Sequence, residues 1–310
     1  MHIETKQVGI WSTQVARDTL FLETEEMRLL QKSITEWGKH FPHEENGLMG
    51  RVNVPSTLIR IDYFYKEGAV QVCEIEDRPA GIGVSSALST SLCDGFISWR
   101  DEIENHFASP LSFYVSMGRR EEVRRGKSDT HGQCDDFLAA EMLMRKYAVC
   151  FSELPRESML HVRSLRDENI SKEIKSRSIC SMKEEGNKHY GLAMGLWTHV
   201  SDSETLSFED SFVLKSTYGS RSDGVWIWHK GGNGAVTKSK IATVLKEHGT
   251  LFKQTFYTPE QYGKYNMLRR VYAYRDILAS SWVIIGGIAL LGESLRLHGT
   301  PETISMPLLV

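Results

Sequence analysis

The sequence predicts an α/β chain of the mixed, α+β kind with at least two sheets, and three patterns carry that expectation. Residues 57–65 (Thr-Leu-Ile-Arg-Ile-Asp-Tyr-Phe-Tyr) and 69–76 (Ala-Val-Gln-Val-Cys-Glu-Ile-Glu) are β-rich alternating runs around Lys66-Glu67-Gly68, a hairpin signal. From Leu111 a strand, a polar Gly-containing loop, a helix at 135–147 and a strand at 148–154 read as one β-α-β unit, which implies a parallel pairing. The second half returns to strands at 211–216, 224–228, 250–256, 266–274 and 282–291.

Taken in order, residues 14–38 place apolar side chains at Val15, Leu20, Leu22, Met27, Leu29, Leu30, Ile34 and Trp37, which predicts a core-packing helix with a break near Thr24. The basic runs Arg119-Arg120 and Arg124-Arg125 read as a solvated helix face. In His131-Gly-Gln-Cys134-Asp135-Asp136 the two aspartates read as the cap of the following helix. The Lys/Glu/Ser-rich stretch Arg163 to Glu185 looks like a crossing between lobes. The apolar run Trp282 to Leu291 is about half the length that spans a bilayer, and reads as a buried strand broken by Gly286-Gly287.

Charge and cysteine usage narrow the function classes. The 37 basic and 40 acidic residues are mixed along the chain and leave a net charge of -3, so no long-range field favours nucleic acid. The 5 cysteines (Cys73, Cys93, Cys134, Cys150 and Cys180) are odd in number and form no C-x-x-C pair, which argues against a disulfide framework and fits a reducing, cytoplasmic setting. The polar opening Met-His-Ile-Glu-Thr-Lys does not read as a secretory signal. No membrane partner is expected.

Two segments carry chemistry. Pairing about Gly68 would set Asp62 opposite Glu74 and Arg60 opposite Glu76, clustering three carboxylates and a guanidinium on one patch of sheet. A hard divalent cation relieves such like-charge pairing, and a water-exposed hairpin face is the other reading. Later, Phe212-Val-Leu-Lys215 runs into the small-residue loop Ser216–Gly224 and then Val225-Trp-Ile-Trp228. Such a loop can close over phosphates while its lysine supplies a point charge, although the order of a Walker loop is absent; a turn with a surface lysine is the other reading.

Together the two segments resemble the glutathionylspermidine synthetase branch of the ATP-grasp ligases. Arg60-Ile-Asp62 with Glu74-Ile-Glu76 is similar to that family's R-x-D … E-x-N hairpin. Lys215-Ser-Thr-Tyr-Gly219-Ser220-Arg221-Ser-Asp-Gly224 resembles its phosphate loop, and Asn187-Lys188 its earlier lysine motif. Leu251-Phe-Lys253-Gln254-Thr-Phe resembles the strand that cups adenine, Gly263-Lys-Tyr265 the next motif, and Met306-Pro-Leu-Leu-Val310 the closing one.

The resemblance implies an ATP-grasp fold holding Mg-ATP between two lobes. It divides the chain into an N-terminal region (1–165) with the metal hairpin, a lid lobe (166–262), and C-terminal core strands (263–310). It implies an ADP-forming carbon–nitrogen ligase that joins a small carboxylate to an amine through an acyl phosphate; a carrier-protein thiol acceptor and a nucleotide-binding module without turnover are the rival readings. Under it Asp62, Glu74 and Glu76 hold Mg2+, and Lys188, Lys215, Gly219, Ser220, Arg221, Gly224, Lys253 and Gln254 hold ATP. Arg60 faces the transferred phosphate or the reacting carboxylate. Asp77, Arg78 and the 81–86 loop, next in sequence to the hairpin, are the candidates for substrate contact, and an ordinary loop leaving a strand is the other reading. A homodimer is common in that family. The chain departs at Glu76 (asparagine in the family), at Ser216 (proline), and at Leu291, where a phosphate-contacting arginine is expected and Arg296 or Arg221 is the nearest replacement.

Overall fold

In the computed structural model, residues 1–8, 11–39, 58–77, 85, 112–114, 159–161, 197–216, 224–231, 236–276, 281–295, 297 and 302–310 are described. The described chain is mixed α+β, mostly strand. Its strands are β1 (Ile3–Val8), β2 (Trp11–Ala16), β3 (Leu20–Phe21), β4 (Leu58–Lys66), β5 (Ala69–Asp77), β6 (Ser112–Tyr114), β7 (Met159–His161) and β8 (Trp197–Val200). There follow β9 (Phe212–Lys215), β10 (Val225–Trp228), β11 (Leu251–Thr255), β12 (Glu260–Tyr262), β13 (Tyr265–Asp276), β14 (Ser281–Gly292) and β15 (Ile304–Leu309). The described helices are α1 (Thr24–Lys39) and α2 (Lys238–His248). Among the described residues no helix is long and apolar enough to cross a membrane.

A 9-stranded sheet runs β1-β2-β15-β14-β13-β4-β5, with β12 on β13 and β3 on β15. It therefore joins the two ends of the described chain, and the hairpin β4–β5 pairs directly with the C-terminal strand β13. One face is covered by α1, whose Leu30 and Ile34 are buried against Ile59, Ile61, Val72, Val271 and Trp282. A second sheet of 4 antiparallel strands runs β10-β9-β11-β8. Its core packs Phe212, Leu214 and Leu251 against Ile241, Val244 and Leu245 of α2. Thr237 caps α2 by accepting from the Lys240 N–H at 3.3 Å, and the helix ends at Gly249, whose N–H donates to the Leu245 carbonyl.

The hairpin forms where the sequence predicts it, but its turn is two residues long, with Lys66 paired to Ala69 instead of a pairing centred on Gly68. Glu67 and Gly68 both take left-handed φ, 54° and 73°, as a turn matching strand twist requires.

Two sequence expectations are corrected. Residues 14–22 are not helix: β2 and β3 occupy that segment, because β2 adds in parallel to β15 and its Val15 and Ala16 are buried by that pairing. The break near Thr24 is instead the true helix start, where the Glu26 carboxylate reaches back to the Glu23 N–H at 3.2 Å as half of a capping box. Second, Gly286-Gly287 does not break the 282–291 strand. The pairing slips between Tyr272 and Ala273, so the strand bulges and runs on, with Gly286 at φ 122°. Of the predicted β-α-β unit only β6 is described, paired in parallel with β7 at 159–161; the predicted helix 135–147, the strand 148–154 and the stretch 163–185 lie outside the described residues.

Candidate functional site

The hairpin's two-residue turn together with one extra residue at Cys73 sets Asp62 opposite Glu74 and Arg60 opposite Glu76, and β13 then sets Arg270 beside Asp62 and Tyr272 beside Arg60. Directly paired residues share a face, so these side chains belong to the face of the large sheet away from α1. Asp62 is the hub: its Oδ1 accepts from Arg60 Nε at 3.1 Å and Arg270 Nε at 2.8 Å, and its Oδ2 accepts from Arg270 Nη2 at 2.7 Å. All three side chains are buried. Glu74 is more open, with 29% of its side chain exposed, and its nearest cation is Arg60 Nη2 at 3.9 Å. On the other side of Arg60, the Tyr272 hydroxyl lies 3.3 Å from the Ser85 hydroxyl.

The small sheet closes on the free edge of β5. Lys215, at the end of β9, pairs across β11 with Phe252, and Phe252 sits in the large sheet's core. On that same face Lys215 Nζ donates to the Cys73 carbonyl at 2.8 Å and Gln254 Nε2 to the Val72 carbonyl at 3.3 Å. These two side chains occupy main-chain acceptors that another strand would otherwise find. Cys73 is the extra residue where the pairing slips between Asp62 and Tyr63. Burial pushes its thiol up to about 12, with Lys215 pulling it down and Asp62 and Glu74 adding to the rise.

Lys215, Gln254, Asp62, Arg60 and Glu74 are thus brought together. Lys253 is not: it shares the opposite, helix-covered face with Leu214 and lies over the Phe212 ring at 5.2 Å. Gly224 closes the base of the Lys215 loop, its carbonyl accepting from the Ser216 N–H at 2.7 Å. Lys188, Gly219, Ser220, Arg221, Arg78 and Arg296 lie outside the described residues; Glu76 and Asp77 are described as backbone of β5 only. Arg270 and Tyr272 escaped the sequence reading; Ser85 lies in the 81–86 loop, a candidate for substrate contact. The signal for Arg270 was its place two residues from Leu268 and Tyr272 in an alternating strand, which gains meaning only once β13 pairs with β4.

The donor set answers whether a magnesium ion fits. Among the described residues no group of three acidic, histidine or cysteine side chains converges. Asp62 is engaged on both oxygens, Oδ1 by Arg60 and Arg270 and Oδ2 by Arg270. Glu74 accepts no hydrogen bond from the described residues, and its Oε2 lies 3.9 Å from Arg60 Nη2. Of the described carboxylates on this patch Glu74 is the open one, and it would suit an ion that keeps its waters and takes phosphate oxygens, which is how Mg2+ commonly binds.

Fold and site define an α+β chain with a buried arginine–carboxylate cluster at the junction of two sheets. No family model and no curated protein sequence matches it. A solved structure from Methylobacillus flagellatus KT, provisionally named a gamma-glutamylcysteine synthetase, is similar at 10% identity and a TM-score of 0.43, covering 91% of this chain and 84% of that one. A likeness of that size carries no assignment of activity.

Proposed function

We propose that the chain is an ATP-dependent ligase of the ATP-grasp type that joins a small carboxylate to an amine and releases ADP. One observation carries the reading: the loop lysine Lys215 lies on Cys73, 142 residues away in sequence and adjacent to Glu74. Two segments singled out independently for phosphate and cation chemistry therefore meet at one place.

The chemistry asked of the protein is positioning and charge neutralisation, with no protein nucleophile. The triphosphate lies between the small sheet and the β4–β5 hairpin, with Lys215 and the loop based on Ser216 and Gly224 around its oxygens. Gln254 lines the same face and Lys253 does not. A magnesium ion held by Glu74 would neutralise phosphate charge there. Asp62 orients Arg60 and Arg270, so that a guanidinium faces the carboxylate as it attacks the γ-phosphate. The resulting acyl phosphate is consumed by the amine, and closure of the loop keeps water away in the interval.

The test is ADP release with Mg-ATP and pooled amino acids, short peptides and polyamines, comparing wild type with Glu74→Ala and Lys215→Ala. Substrate-dependent ADP that falls by about a hundredfold or more in both variants is expected. Turnover that survives both substitutions would remove the reading.

A further inference from the structure

A guanidinium taken out of water needs an acceptor for each edge of its fork. Arg270 has 5% of its side chain exposed, and its side-on edge, Nε with Nη2, is held by Asp62 at 2.8 and 2.7 Å. That leaves the end-on edge, Nη1 with the second Nη2 proton, and among the described residues no acceptor meets Nη1. Arg269, one residue earlier and on the opposite face, shows the contrast. Its Nη1 donates to Glu26 at 2.7 Å, and its Nε and Nη2 donate to Glu260 at 2.9 and 2.7 Å.

The open edge of Arg270 has the shape that a carboxylate or phosphoryl group fills with two parallel hydrogen bonds. Its plane is fixed, because Asp62 grips the other edge and is itself held by Arg60. Leu291, where the resembling family carries an arginine, is fully buried opposite Met267, in the apolar cluster with Ile304 and Met306. An arginine there would meet no oxyanion on the site face. Position 270, by contrast, stands beside Asp62 on the face that carries Arg60.

We infer that the open edge of Arg270 receives an oxyanion of the substrates, either the carboxylate to be activated or the γ-phosphate it attacks, making Arg270 the arginine this chain uses in place of one at 291. The inference rests on the ligase reading and deepens it.

The experiment uses the full chain with Arg270→Lys and Arg270→Gln, and calorimetry with Mg-ATP, Mg-ADP and pyrophosphate. ADP release is then followed over a dilution series of the amino-acid and peptide pool. Losing a charged, paired hydrogen bond weakens binding by about ten- to a hundredfold, least in the lysine variant, which keeps the charge and loses the fork. Weaker Mg-ATP with unchanged Mg-ADP identifies the γ-phosphate as the ligand. Unchanged nucleotide binding with a tenfold or greater rise in the half-saturating pool concentration identifies the carboxylate. Because Arg270 also holds Asp62, the pair Asp62→Asn with Arg270→Gln is measured alongside, leaving neither charge alone. Binding and half-saturation within twofold of wild type in every folded variant overturn the assignment and leave the ligase standing. A wild type that binds no Mg-ATP removes the ligase reading, and the Arg270 assignment falls with it unless pyrophosphate binds and Arg270→Gln abolishes that binding.

Discussion

Gly287→Ala tests whether the site face depends on the closest backbone approach in the large sheet. A Cβ built on Gly287 would lie 1.8 Å from the Arg270 carbonyl oxygen, 2.8 Å from its carbonyl carbon and 2.9 Å from the Val271 Cα. All three are main-chain atoms, so no side chain can turn aside. β13 and β14 must separate locally by more than about an ångström for the oxygen contact to reach ordinary range. Overpacking of a tight interior costs about 1–3 kcal/mol, and each ladder hydrogen bond lost adds about 1 kcal/mol. The expected loss is thus roughly 2–5 kcal/mol, a large part of the roughly 5–15 kcal/mol that holds a domain folded. Gly292→Ala, on the same strand, is the control, because its Cβ would meet only the Leu297 Cδ2 at 3.2 Å, which can move. Urea unfolding followed by tryptophan fluorescence and circular dichroism reads both. A Gly287→Ala midpoint no lower than that of Gly292→Ala would refute the reasoning.

Two further outcomes follow from the buried network under α1. The Tyr63 hydroxyl donates to Glu26 Oε1 at 2.6 Å, and both groups are fully buried, so Tyr63→Phe leaves a buried carboxylate short of a donor. A loss of about 2 kcal/mol is expected, and a melting temperature unchanged within a degree would contradict it. Burial pushes the Glu26 carboxyl above its ordinary 4.5, and the bonds from Tyr63 and Arg269 offset this only in part. A raised value in the folded state means the contribution is whole below 4.5 and is lost as pH rises through the folded value. The stability of Glu26→Gln relative to wild type is therefore expected to rise with pH across that window and then level off, as read by urea titrations at stepped pH; a difference independent of pH would refute it.

What was legible in the sequence was whatever one short segment decides. Alternation and the turn signal placed the hairpin, and pairing about Gly68 gave the right partners, Asp62 on Glu74 and Arg60 on Glu76. The structure reaches them through a two-residue turn and a bulge at Cys73 that the sequence did not announce. The later strands were legible because each is a short apolar or β-branched run between turn signals. Residues 14–22 misled because Val15, Leu20 and Leu22 suit a helical stripe as well as two short strands, and only the C-terminal β15 decides between them. Helix α2 had its signals in place, Thr237 before it and Gly249 after it. Its apolar positions are few, so the polar surface masked the stripe of Ile241, Val244 and Leu245. Arg270 and Lys253 depend on which face of which sheet a residue joins, a property of pairings between distant segments.

The contact that carries the functional reading is also one that must be given up in use. Lys215 bonds a neutral carbonyl, at Cys73, rather than the carboxylate of neighbouring Glu74. A hydrogen bond to a neutral acceptor contributes about 0.5–1.5 kcal/mol, and one to a charged acceptor about 1.5–3 kcal/mol, so moving the ammonium from carbonyl to phosphate is downhill. The Cys73 carbonyl left behind lies on an edge strand, where water can reach it once the small sheet shifts. Gln254, on the Val72 carbonyl, can hold the two sheets together meanwhile. The Lys215 ammonium thus rests on the Cys73 carbonyl, next in sequence to Glu74 and close to its proposed ligand.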